Sequence, residues 1–126
     1  MSDEPSLNHD SIRFLRKDEI ALLRALLENH SSGKLLLVDL EQVGVKDMRD
    51  GGMGSIEFAG SFGGRRMSQC IAEADYVDSD GVSVSISVNV YQNGHLLEID
   101  IWKVDFGSLI KYPAPRTIRN VRHFPL

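Results

Sequence analysis

One cysteine, Cys70, stands among 126 residues. That excludes an internal disulfide and an all-protein zinc site built from four cysteines or from two cysteines and two histidines. No apolar run exceeds four residues, as in Leu35–Val38, far short of the ~20 that a membrane helix needs. The first ten residues are polar and acidic, with neither a basic start nor an apolar stretch, so no leader is expected. These absences lead us to expect a soluble, cytoplasmic protein without a membrane partner.

Acid is missing after Asp105. The first 110 residues hold 10 of the 14 basic and all 18 acidic side chains, a balance of −8, and the last 16 carry +4. An acidic body with a basic tail (about 111–126) suggests polar partners or tail-to-body docking. Four positive charges are a thin nucleic-acid footprint, since such domains show a broad basic patch. Docking of the tail on the body is favoured over nucleic acid.

What remains is ordinary globular material. Hydrophobic residues are 42% and charged residues 25%, a length and composition expected of one domain. Residues 1–11 read as a flexible arm, and 12–126 as the domain. Ile20, Leu23, Leu26, Leu27 and His30 share a helical stripe, with Asp18 and Glu19 at its start. The spacing predicts a helix over 18–30, with Gly33 as a left-handed cap. Lys34–Leu40 reads as a short buried strand and 41–52 as a connection anchored by Val43, Val45 and Met48.

The period then changes to two. Ile56 and Phe58 alternate with Glu57. Ser68–Asp78 carries Cys70, Ala72, Ala74 and Tyr76 on one side and Gln69, Ile71, Glu73 and Asp75 on the other. Val82, Val84, Ile86, Val88 and Val90 alternate with Ser83, Ser85, Ser87, Asn89 and Tyr91, as in a sheet with one wet face. Asn93-Gly94 is a strong hairpin signal, and Asp78-Ser79-Asp80-Gly81 a second turn. Leu97, Ile99 and Ile101 then face one way, Glu98, Asp100 and Trp102 the other. Lys103 would point inward and snorkel out. Thr117–His123 reads as an edge strand. The expected fold is α+β: a single domain with an N-terminal helix packed on a mostly antiparallel sheet of about four to five strands.

Few residue groups suggest chemistry. Gly60–Gly64 with Arg65 and Arg66 resembles an anion loop, yet lacks the Gly-Lys-Ser/Thr opening a helix that a P-loop requires. The four histidines are scattered and no pair has metal-ligand spacing. No Gly-x-Ser-x-Gly elbow is present. Glu98 and Asp100 sit ~7 Å apart on one strand face, where a flat sheet offers no cleft. Cys70, among alanines, reads as a buried inert thiol. No catalytic residue, metal ligand or cofactor is assigned.

Asp50-Gly51-Gly52-Met53-Gly54-Ser55 and Glu98-Ile99-Asp100-Ile101-Trp102-Lys103-Val104-Asp105-Phe106 together resemble a family of small, uncharacterised bacterial proteins, a domain of unknown function, over about Arg13 to Pro113. The resemblance implies a bacterial cytoplasmic protein and no particular chemistry. It directs attention to Asp100, Trp102, Lys103, Asp105 and Phe106. Small acidic α+β proteins of this build are also similar in style to immunity proteins of bacterial toxin systems.

The expectation is thus a binding protein rather than an enzyme. Its wet sheet face, through Tyr91, Glu98, Asp100 and Trp102, would meet another protein or a second copy of itself. The alternative is a small-ligand or phosphate-binding protein, possibly an enzyme, using Gly63, Gly64, Arg65 and Arg66.

Overall fold

A computed structural model describes residues 11–60 and 68–126. In chain order these form β1 (Ile12–Phe14), α1 (Lys17–Leu27), α2 (Gly33–Leu36), β2 (Gly44–Asp47), β3 (Ile56–Phe58), β4 (Gln69–Val77), β5 (Ser83–Val90), β6 (Leu96–Lys103) and β7 (Arg119–His123). The strands make one seven-stranded sheet in the order β1-β2-β3-β6-β5-β4-β7, and every neighbouring pair is antiparallel. The α+β architecture is as expected, but the sheet exceeds four to five strands. The extra ones are β1 and β2, three and four residues long, too short to show a period. Among the described residues, no helix is long and apolar enough to cross a membrane.

The core lies on one face. Val84, Ile86, Val88 and Val90 of β5, Ile99 and Ile101 of β6, Ala72 and Ala74 of β4, and Val45 of β2 are buried there with Leu22, Leu23, Leu26 and Leu27 of α1. Leu109, Tyr112 and Ile118, from the long return to β7, pack on the same side. Burying a leucine or isoleucine side chain contributes about 1.5–3 kcal/mol, so this face supplies the main drive to fold. The start of α1 is fixed by Glu19, wholly buried. Its carboxylate accepts the Arg16 N–H at 2.8 Å and both terminal nitrogens of Arg13 at 2.9 and 2.8 Å. That matches a buried charge with fixed donors.

Several expectations change. The run after Gly33 is a helical turn, not a strand: Leu36 and Leu40 are buried four residues apart, while Leu35 and Val38 are exposed. Gly33 is no left-handed cap. A Cβ there would lie 2.1 Å from the Leu27 carbonyl oxygen, so glycine is needed for close approach. α1 ends at Leu27, short of residue 30. A bulge between Cys70 and Ala72 turns both Ile71 and Ala72 inward and leaves Cys70 half-buried, opposite Asn89 on the other face. A second irregularity lets Leu96 rather than Leu97 join the core, and Leu97 is buried outside it. Lys103 does not snorkel. It is 1% exposed, with Nζ 2.8 Å from both Asp78 Oδ2 and Asp80 Oδ2.

Candidate functional site

Register builds the open face of the sheet row by row. Val77 pairs with Ser83, whose carbonyl accepts the Val104 N–H at 3.0 Å. The next row is Asp75, Ser85 and Trp102, then Glu73, Ser87 and Asp100, then Cys70, Asn89 and Glu98. In the serine column Ser83 and Ser85 are exposed and Ser87 is half-buried. The face therefore grades from apolar (Val77, Val104, Trp102) through acidic to a sheltered polar end.

The two motifs that stand out in the sequence shape this face. β3 pairs with β6 only at Ile56–Ile99 and Glu57–Glu98, so β6 runs on beyond its neighbour. The turn Asp50–Ser55 takes over. The Asp50 carboxylate accepts the N–H groups of Met53 and Ser55 at 3.0 and 2.9 Å. The folded-back turn then presents Ser55 Oγ to the Ile101 N–H at 2.8 Å and Met53 Sδ to the Lys103 N–H at 3.1 Å. Side chains stand in for a missing strand. Gly51, Gly52 and Gly54 all take positive φ, which this tight fold-back requires.

The second motif ties down the return chain. Asp78 accepts the N–H groups of Ile110 and Lys111 at 2.8 and 3.0 Å, along with Lys103 Nζ. Burial alone would raise the Asp78 pKa, but the Ile110 N–H, the Lys103 ammonium and the Ser79 and Lys111 N–H groups hold it well below the usual carboxylate range. Lys103 is correspondingly held charged, first by Asp78 and then by Asp80. This is a saturated structural pair, with no proton or amine available for chemistry.

Phe106 is the outlier. Its φ is +65°, a left-handed conformation rare for a bulky residue. The turn that imposes it is closed by the Phe106 N–H to the Lys103 carbonyl at 2.9 Å and the Gly107 N–H to Asp105 Oδ1 at 2.8 Å. The ring is 67% exposed. It meets Trp102, itself 43% exposed, edge-to-face at 4.8 Å. Val77 and Val104, both exposed, flank Ser83 in the adjacent row and complete an apolar corner.

The basic tail reaches the acidic body through β7. Arg122 lies 3.2 Å from Glu73 and 3.4 Å from Asp75, and Asn120 donates to Asp75 at 2.9 Å. Asn120, then Arg122, holds the Asp75 carboxyl below its ordinary range. Burial, then the nearby Glu73 carboxylate, pushes the Cys70 thiol up, so this half-exposed sulfur is kept protonated rather than made nucleophilic.

Of the four residues proposed from the sequence, the structure leaves Asp100 and Trp102 on this face in contact with solvent. Tyr91 is buried just past the end of β5, and Glu98 is buried with the Asn89 amide donating to it at 2.6 Å. The glycine loop with Gly63, Gly64, Arg65 and Arg66 lies outside the described residues. The family resemblance points to Phe106 without giving it a role; its sequence signal is an aromatic in the left-handed slot of an Asp-x-Gly turn. Val77 carries no such signal, because its place beside Ser83 depends on hairpin register. Among the described residues, no three metal-ligating side chains gather.

A groove of about 630 Å³ lies at the opposite end, lined mainly by apolar residues including Leu36, Val43, Phe58, Leu96 and Leu126. His95 also lines it.

Residues 12–113 match the family described as Domain of unknown function (DUF6984), and the chain belongs to it. No curated protein and no solved structure matches the chain.

Proposed function

We propose that the open sheet face is a protein-binding surface anchored by Trp102 and Phe106, and that the chain acts as a non-enzymatic binding module. The observation that carries this is Phe106. A left-handed conformation costs a non-glycine residue of order 1 kcal/mol or more, and burial does not offset it because the ring is exposed. Folding alone would favour glycine there. A strained, exposed ring set edge-to-face against a second exposed ring is the kind of anchor that interfaces use. Ser83 and Ser85 beside it are small and exposed, which lets a partner's backbone approach closely. The likeness of the two motifs to bacterial proteins supports a cytoplasmic bacterial setting.

The test is site-specific photocrosslinking in the host cell. A photoreactive residue at Ser85, between Asp75 and Trp102, should give one discrete protein adduct that disappears with Phe106→Gly. The same probe at Ser31, on the far side of the fold, should not give it. An adduct that survives Phe106→Gly, or none at Ser85, would overturn the reading.

A further inference from the structure

On the protein-binding reading above, we infer that the partner presents a basic side chain, an arginine, to Asp100 and the neighbouring Trp102. The charges on the face decide this. Glu73 and Asp75 are matched by Arg122, and Glu98 is out of solvent against Asn89. Asp100 is different. It lies two residues before Trp102, so its carboxylate shares the face ~7 Å away along the strand. Its hydroxyl neighbour, Ser55 Oγ, is 3.4 Å away and closer, at 3.2 Å, to the Ile101 carbonyl. The Asp100 carboxylate therefore keeps acceptor capacity for a donor from outside.

The same charges select the occupant. A second copy packed face to face would bring another Asp100 to a face whose Arg122 is already engaged by Glu73 and Asp75. A nucleic-acid backbone would likewise bring negative charge to it. A cation is attracted by the carboxylate and by the aromatic rings. A guanidinium fits better than an ammonium, because its plane stacks on a ring while its fork engages a carboxylate.

Trp102 is the one tryptophan of the chain, so its emission reports on this site directly. The full chain is titrated at low salt with amidated hexa-arginine, hexalysine and hexaglutamate. The expected result is a saturable change with hexa-arginine, a weaker affinity for hexalysine and no response to hexaglutamate. Asp100→Asn, which keeps the side chain's shape, should weaken hexa-arginine binding about tenfold, the scale of one charge-assisted hydrogen bond. Glu28→Gln, at the exposed end of α1, should leave it unchanged. Equal losses in both variants would mean general polycation attraction and would overturn the inference, as would no saturable response. Crosslinking separates the two levels. If the Ser85 adduct forms equally well in the Asp100→Asn chain, the binding face stands and the arginine inference falls. If Ser85 gives no adduct, the face itself fails.

Discussion

Replacing Ser55 by alanine removes one oxygen from a buried site. The consequence follows from where that oxygen points. Ser55 Oγ accepts the Ile101 N–H at 2.8 Å, in a stretch of β6 where β3 no longer pairs. The residue is 2% exposed, so water does not readily replace it. An orphaned buried N–H costs about 1–3 kcal/mol. Against a total of about 5–15 kcal/mol for a domain, that is a large share. Taking about 2 kcal/mol, the melting temperature should fall by roughly 6–10 °C for a chain of this length. Ser85→Ala, on the open face, should stay within about 0.5 kcal/mol of the parent. Thermal and urea unfolding followed by circular dichroism give both differences. Amide exchange by NMR gives the local one: Ile101 should lose protection in Ser55→Ala and keep it in Ser85→Ala. If Ser55→Ala melts with the parent and Ile101 stays protected, the turn is no substitute strand, and its residues would need a functional explanation.

Four further outcomes are expected. Phe106→Gly should be about 1 kcal/mol more stable than Phe106→Ala in urea, since both lose the ring and only alanine keeps the left-handed strain; equal midpoints would remove the strain argument. Gly33→Ala should destabilise by at least the roughly 1–3 kcal/mol usual for overpacking, because its Cβ would meet the Leu27 carbonyl oxygen at 2.1 Å, and an unchanged urea midpoint would refute the close approach. Ile99→Ala, in a fully buried site, should cost about 2–5 kcal/mol with the slope on urea unchanged. Asp78 titrates below its ordinary range in the fold and near ~3.9 when unfolded. The stability it adds is complete above about pH 4 and is lost as the pH falls further. The urea midpoint should therefore drop between about pH 7 and about pH 3 by less in Asp78→Asn than in the parent.

The parts of the fold visible in the sequence are those whose signal is local. The alternation of β5 and the Asn93-Gly94 and Asp80-Gly81 turns need no tertiary information, and both glycines take positive φ. The stripe of α1 is equally plain. What escapes depends on distant neighbours. β1 and β2 exist because the Arg13–Glu19–Asp47 ion pairs and the buried Val45 hold them, and no three-residue window shows that. The bulge at Cys70 reverses a face without leaving a mark on the alternating pattern. The candidate site divides the same way. Trp102 and Asp100 follow from period two, whereas Tyr91 and Glu98 sit in the right phase and are still buried. Lys103 reads as a solvated end because its partners, Asp78 and Asp80, lie across a hairpin.

The β3–β6 junction also says how the molecule should come apart. Within the sheet, β3 meets β6 through two residue pairs, extended by side-chain bonds from the turn, while β4, β5 and β6 are bound along nearly their whole length. Such a seam divides a sheet into units of unequal cooperativity. Exchange under native conditions should open the β1–β3 flap before the β4–β5–β6 ribbon. The aromatic corner lies on the ribbon, so Trp102 and Phe106 should stay in place through the excursions that release the flap.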